Sequence, residues 1–390
     1  MKLAIFTDSF SPLVNGVVTH ILTTSKLLAR RHQIMIFAPC PPKEKKDQLP
    51  HFPPTIKVEY LSSLPAFIYE DIRVGLGFLP LLFSKIKHFQ PDIIHFHSPL
   101  TVGLNGIMAA KILHKPLVGT FHTYFMEPEY LKIVHLDKLR LDTNRWLNFL
   151  LWQYSNFYYN QADLVICPSL NTKKELMRHG INQPIKVISN GVITAKKIRE
   201  KIKLNLPSHQ YFLYIGRISV EKSLDILIQA FNLFAQDNKK VDLLLVGDGP
   251  AKNQLIKLVD ELQLKQRVFF LGKISHSLLL NSNIYDHALA FATASKSETQ
   301  CISVLEAMSH KLPIIGVKSR ALPELIQKNG ILCPPDNLKK IAQAFSIMAS
   351  ERKKRASFSQ QSLRIANQHS LEKTVDQLEQ VYQQLLMSRL

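Results

Sequence analysis

The sequence predicts an α/β protein made of two doubly wound parallel sheets in succession, and three observations carry that prediction. Short apolar runs alternate with helical segments along the chain. The alternation breaks once, in the charged and polar stretch 195-AKKIREKIKLNLPSHQ-210. The length, 390 residues, is enough for two domains of ordinary size that each bury a core.

The first run, 3-LAIFT-7, is followed at once by Asp8, so the N-terminus reads as a first strand rather than a signal peptide, which places the protein in the cytoplasm. The runs 34-IMIFA-38, 92-DIIHF-96, 117-LVGTF-121, 164-LVICP-168 and 186-KVIS-189 continue the series. Strands that alternate with helices predict parallel βαβ units. After the break, 211-YFLYIG-216, 241-VDLLLVG-247, 267-RVFFLG-272, 288-ALAFA-292 and 313-PIIGV-317 repeat the pattern. The reading is therefore one domain over residues 1–194 and a second over 195–370, with the linker near 195–208. Ligands of such sheets sit beyond the carboxyl ends of the strands, so two that face each other leave a cleft. In the last segment, 371–390, Leu371, Val375, Leu378, Val381, Tyr382 and Leu385 recur at helical spacing and predict a helix packed on a surface.

Composition narrows the function classes. The apolar fraction of 46% fits a globular chain, and no uncharged apolar stretch approaches the roughly 20 residues that cross a bilayer. Four cysteines, at 40, 167, 301 and 333, show neither CxxC spacing nor nearby histidine pairs, which argues against a zinc site or a disulfide framework. The net charge of +19 implies attraction to an anionic partner. No nucleic-acid module is recognisable, which leaves a membrane surface or a phosphate-bearing ligand.

Candidate chemistry lies in the turns after the strands. Gly16, at the start of the next helix, lets backbone N–H groups approach an anion, or is merely a conformational glycine. His122, in 119-GTFHTYF-125, stands just past a strand end, where a ligand-facing or a satisfied buried histidine both fit. Arg217 and Lys222 flank the turn after YFLYIG and suit a diphosphate, as a guanidinium fork and a point charge, although a surface pair would look the same. In 295-SKSETQCISVLEAM-308, a helix entered through Thr299–Ile302 would aim the N–H groups of Cys301, Ile302 and Ser303 at phosphate. Glu298 before that helix and Glu306 within it would accept hydrogen bonds from sugar hydroxyls, or would simply line a solvated helix face.

The order and spacing of 14-VNGVVTH-20, 119-GTFHTYF-125, 189-SNGV-192, 214-YIGRISVEKS-223, 245-LVGDGP-250 and 297-SETQCISVLEAMSHKLPIIG-316 resemble the retaining glycosyltransferases of family 4. The resemblance covers nearly the whole chain. Its specific part is the GR and EK pair followed by E-x7-E. Within the family the chain is most similar to bacterial diacylglycerol glucosyltransferases and plant sulfolipid transferases, through SPLVNGVVTH, the HTYF segment and RALPELI at 320–326.

The resemblance implies a GT-B fold, with an N-terminal acceptor-binding domain onto which the last helix returns and a C-terminal nucleotide-sugar domain. It implies that Gly16 lies by the donor phosphate and sugar, that His122 approaches the transferred sugar, and that Arg217 and Lys222 hold the diphosphate. Glu298 would bind the sugar hydroxyls and Glu306 the ribose. Retention in the family needs no protein nucleophile and no metal, in agreement with the lack of a DxD motif, so no cofactor is expected. Two departures stand out: Cys301 replaces the family's usual glycine, and Ile193-Thr194 replaces the aspartate after NGV.

A lipid acceptor would explain the basic excess. Residues 130–161 mix Lys132, Lys138, Arg140 and Arg145 with Trp146, Phe149 and Trp152, as interfacial helices do, and 78-FLPLLFSKIKHF-89 is a second candidate. Each basic residue near an anionic leaflet adds about 1 kcal/mol of attraction. Amphipathic core helices with solvated basic residues would give the same pattern. The leading expectation is transfer of a hexose, glucose from UDP-glucose, to a diacylglycerol-type lipid by an enzyme held at the inner face of the membrane. The alternatives are a phosphoinositide, lipopolysaccharide or polysaccharide-precursor acceptor, and a non-catalytic nucleotide-sugar-binding protein.

Overall fold

The computed structural model describes residues 1–13, 15–65, 73–76, 79–128, 131, 143–194 and 202–389. They form two compact units, Met1–Gly191 with Leu371–Leu390, and Val192–Ser370. The crossing point falls three residues before the 194/195 boundary, because Val192 bridges to Ser370 and packs into the second core.

The first unit is built on a seven-stranded, all-parallel sheet of order β3-β2-β1-β6-β7-β8-β9. Its strands are β1 (Lys2–Phe6), β2 (Gln33–Pro39), β3 (Ile56–Leu61), β6 (Ile93–Phe96), β7 (Leu117–Thr120), β8 (Leu164–Cys167) and β9 (Ile185–Val187), beside a small antiparallel hairpin, β4 (Ser63–Pro65) with β5 (Arg73–Gly75). Alternate residues enter two different cores. Ala4, Phe6, Phe37, Ile94 and Phe96 face one side, while Leu3, Ile5, Ile36, Ile93 and Val118 face the other. A sheet buried on both faces needs continuous apolar runs, which is why the strands read so clearly. The helix Leu371–Met387 covers the second face through Val375, Leu378, Val381 and Tyr382.

The second unit repeats the plan with six parallel strands in the order β12-β11-β10-β13-β14-β15. These are β10 (Gln210–Ile215), β11 (Val241–Val246), β12 (Val268–Gly272), β13 (Ala288–Ala292), β14 (Ile314–Val317) and β15 (Gly330–Cys333). Every run singled out in the sequence is a strand. The strands that escaped notice are the edge strands β3 and β15 and the hairpin. Lys57 and Glu59 interrupt β3, where Glu59 pairs with Lys57 at 2.9 Å and with Lys85 at 2.5 Å. Among the described residues no helix is long and apolar enough to cross a membrane. All four cysteines are free.

Candidate functional site

In each sheet the strand order reverses beside the first strand, between β1 and β6 in one unit and between β10 and β13 in the other. A crevice opens beyond the carboxyl ends at such a reversal, and ligands of open α/β sheets bind there.

In the second unit the segments after β10 and β13 flank this crevice. Gly216 and Arg217 follow β10, and Lys222 ends the short 3-10 turn Val220–Lys222. Glu298 lies in the segment after β13. Lys222 Nζ donates to Glu298 Oε1 at 2.6 Å, with only 17% and 13% of the two side chains exposed. Burial pushes the Glu298 carboxyl up, but Lys222 outweighs it, helped by hydrogen bonds from Ser295 and Cys301, and holds the group below the usual carboxylate range. Glu298 is therefore an ionised acceptor at neutral pH.

The turn that carries Arg217 is held by the loop after β11. Ile218 N–H donates to Asp248 O at 3.0 Å, and Ala251 N–H donates to Ile218 O at 3.1 Å. The approach is so close that a Cβ on Gly247 would lie 1.8 Å from Gly216 O, and one on Gly249 2.3 Å from Ile218 O, with both glycines at positive φ. This is the physical content of GDG in 245-LVGDGP-250. Tyr214 O–H donates to Arg217 O at 2.9 Å, which fixes the backbone beneath the half-buried guanidinium.

The helix Ile302–Ser309 starts at Cys301, which adopts the left-handed conformation with φ 66°. That conformation favours glycine, so Cys301 sits on strained backbone. Val304 and Leu305 N–H donate to Cys301 O, so Ile302 and Ser303 carry first-turn N–H groups that have no acceptor within the helix. Burial, and next the Glu298 charge, push the Cys301 thiol up to about 12. Glu306 is buried, and its Oε1 lies 2.5 Å from His276 Nε2. Burial lowers the His276 pKa, but the bond to Glu306 outweighs this and raises it.

In the first unit Gly16 opens the helix Gly16–Leu28, which Asn15 caps by accepting from Val18 N–H at 2.9 Å. One turn on, His20 is buried beside His97 and His122, which follow β6 and β7. Burial pushes these imidazoles down, and neighbouring histidines push His97 and His122 lower still, so the rings are neutral at pH 7.

Arg217, Lys222, Glu298, Cys301, Ile302, Ser303 and Glu306 thus belong to one unit, and Gly16 and His122 to the other. Of the membrane candidates, Lys132, Lys138 and Arg140 lie outside the described residues. Arg145 starts the helix Arg145–Tyr159, and Trp146 is 73% exposed. Trp152 is a correction: it is buried and stacks on His179 at 3.9 Å and 2°. Six residues past Trp146 it has turned to another side of the helix. In the stretch 78–89, Leu82 and Ile86 are core residues.

Residues 14–196 match the model of Glycosyltransferase Family 4, and residues 196–364 match that of the Glycosyl transferases group 1. The chain is a family 4 glycosyltransferase. The transferase is 29% identical over 339 residues to an alpha-monoglucosyldiacylglycerol synthase of Streptococcus pneumoniae, covering 84% of this chain and 73% of that protein. To the synthase of the same name from Acholeplasma laidlawii it is 26% identical, covering 85% of this chain and 84% of the relative. To a sulfoquinovosyl transferase of Arabidopsis thaliana it is 27% identical, with 75% of this chain spanning 56% of that protein. GDP-mannose-dependent alpha-mannosyltransferases and components of phosphatidylinositol N-acetylglucosaminyltransferases match as well. Among solved structures, a sucrose-phosphate synthase of Thermosynechococcus elongatus superposes with a TM-score of 0.80 at 19% identity, over 99% of both chains. Anabaena HepE in complex with UDP-glucose gives 0.75 at 21%, over 98% of this chain and 100% of that one. The transferase has the GT-B fold.

Glu221 and His97, which the sequence did not single out, make contacts beside these residues. Buried Glu221 accepts from Ser219 Oγ at 2.5 Å, while its carbonyl accepts from the hydroxyls of Ser295 and Ser297 at 3.4 Å, joining the segments that carry Lys222 and Glu298. The letters EK at 221–222 were the available signal. The HFH triplet at 95–97, at the very end of a strand, was the signal for His97.

Proposed function

We propose that this glycosyltransferase moves a hexose, first of all glucose from UDP-glucose, onto a membrane lipid such as diacylglycerol with retention of anomeric configuration. The lipid acceptor is carried by one observation, the outer face of the helix Arg145–Tyr159. Trp146, Phe149, Leu150 and Phe157, at positions i, i+3, i+4 and i+11, are 73%, 50%, 55% and 58% exposed. Large apolar side chains uncovered in a row along one helix face suit the headgroup boundary of a bilayer. The charge of +19 suits an anionic leaflet. The enzyme then sits peripherally on the inner face of the membrane and leaves it reversibly. Relatives named for monoglucosyldiacylglycerol synthesis support this acceptor, and the UDP-glucose complex of HepE supports the donor.

At the donor, Arg217 and Lys222 hold the diphosphate, with the N–H groups at Cys301, Ile302 and Ser303 beside it. Glu298 accepts from the sugar hydroxyls and Glu306 from the ribose, and the family resemblance further implies roles for Gly16 at the donor phosphate and His122 at the transferred sugar. The bond from the anomeric carbon to the phosphate oxygen breaks, and the acceptor oxygen bonds to that carbon on the same face. The acceptor proton passes to the departing phosphate oxygen. Arg217 and Lys222 stabilise the charge that develops there, so this reading asks for no protein nucleophile and no metal.

The mannosyl and phosphatidylinositol relatives favour a second reading, with GDP-mannose as donor or a phosphoinositide as acceptor. Incubation with a panel of UDP-, GDP- and ADP-sugars plus a lipid extract, with products identified by mass, separates the two. A product mass of a hexosyl-diacylglycerol is expected from UDP-glucose, and a mannosylated or inositol-containing product would support the second reading instead.

A further inference from the structure

His97 and His122 leave the carboxyl ends of neighbouring strands, β6 and β7, and their rings meet: His97 Nδ1 lies 2.9 Å from His122 Nε2. Each neutral ring carries one proton, so one of these nitrogens donates and the other accepts. The bond therefore ties the tautomer of His122 to that of His97: if His97 Nδ1 donates, His122 carries its proton on Nδ1, and if His122 Nε2 donates, on Nε2. The surroundings hold His97 in turn. Its ring stacks on that of His95 at 4.1 Å and 29°. His95 is tied at both nitrogens, Nδ1 to the Tyr382 hydroxyl at 2.8 Å and Nε2 to the Thr120 hydroxyl at 2.7 Å. On the other side His20 Nδ1 donates to Asn190 O at 3.0 Å, since a carbonyl only accepts.

We propose that His97 is a positioning residue for His122: the hydrogen bond between His97 Nδ1 and His122 Nε2 holds the His122 ring in one orientation and one tautomer for its contact with the transferred sugar. This rests on the role given to His122 above. One nitrogen from each of His20, His97 and His122 lies within 4.8 Å of the others, a spacing that three imidazole ligands of one divalent cation also show. The 2.9 Å contact favours the hydrogen-bonded pair. It is a hydrogen-bond length, whereas two nitrogens at about 2.0–2.1 Å from one tetrahedral zinc stand about 3.4 Å apart.

The test joins ring-nitrogen NMR of the 15N-histidine-labelled protein to kinetics. The His122 ring of the wild type is expected in a single tautomer, with its Nε2 hydrogen-bonded. His97→Ala is expected to mix the tautomers and to lower kcat by about 10- to 100-fold, the scale seen when a group that orients a functional histidine is lost. The donor KM should change by less than about threefold. His97→Asn, whose amide reaches the place of Nδ1, should restore most of the rate. A wild-type His122 ring found as a tautomer mixture overturns the proposal without any variant having to fold. So does an unchanged kcat in His97→Ala when His122→Ala is inactive. His122→Ala with wild-type turnover overturns the role of His122 itself and this proposal with it. Stoichiometric binding of Zn²⁺ to the wild type, lost in His20→Ala, overturns the hydrogen-bonded pair in favour of a metal site.

Discussion

Replacing Lys222 by methionine removes the cation from a pair whose side chains are only 17% and 13% exposed and leaves the Glu298 carboxylate alone in that place. Breaking a buried pair on one side costs about 3–5 kcal/mol, and the remaining exposure puts this one near 3 kcal/mol. For a unit of this size that lowers the melting temperature by about 6–12 °C. The sign of the pH effect follows from the depressed Glu298 pKa. The pair's stabilisation is present above the unfolded value of 4.5 and is lost as pH falls through the folded value. In Lys222→Met burial is opposed only by the hydrogen bonds from Ser295 and Cys301, so the carboxyl moves up and the variant is weakest at neutral pH relative to wild type. Adding Glu298→Gln removes the stranded charge and should return about 2 kcal/mol, while transfer stays lost. Loss of one charge-assisted contact to the diphosphate, about 1.5–3 kcal/mol, should weaken UDP binding by about 10- to 150-fold. Thermal melts of the three proteins and calorimetric titration with UDP measure these terms. A Lys222→Met protein that melts within about 1 °C of wild type and binds UDP equally well would refute the reasoning.

Three further outcomes are expected. Trp146→Ser with Phe149→Ser should abolish co-sedimentation with anionic vesicles at low salt and leave the melting temperature within about 2 °C, whereas Trp152→Ala should cost about 3–5 kcal/mol of stability; equal vesicle binding by the double variant contradicts the membrane face. Cys301→Gly should stabilise the second unit by about 1 kcal/mol in denaturant titrations by relieving the left-handed backbone, and the wild-type thiol, pushed up to about 12, should alkylate slowly at pH 8. The raised His276 pKa adds stability that is fully present below the unfolded value of 6.5 and is lost as pH rises through the folded value. His276→Ala should flatten that part of the stability profile, and an unchanged profile would contradict the His276–Glu306 pair.

The strands of both sheets were legible because a sheet covered on two faces must be apolar at nearly every position, as in 241-VDLLLVG-247, where the one charge, Asp242, is paired with Arg267 at 2.9 Å. Edge strand β3 was not, because Lys57 and Glu59 break its apolar run. Charged site residues such as Lys222 and Glu298 stood out as charges at strand ends, but their direct pairing across 76 residues of chain is a property of the sheet order alone. The histidine cluster was hidden for a related reason. His20, His97 and His122 come from three separate elements, and only the adjacency of β1, β6 and β7 brings their rings together. The reading of Trp152 as a membrane contact counted aromatic residues without their helical phase, which separates it from Trp146.

The most direct test of the account is incubation of the enzyme with UDP-glucose and anionic vesicles containing diacylglycerol, followed by mass and NMR analysis of the lipid product. The account predicts a glucosyl-diacylglycerol in which the anomeric configuration of the donor is kept, formed by the wild type and lost in Glu298→Ala. Transfer with inverted configuration, or a Glu298→Ala variant as active as wild type, would contradict it.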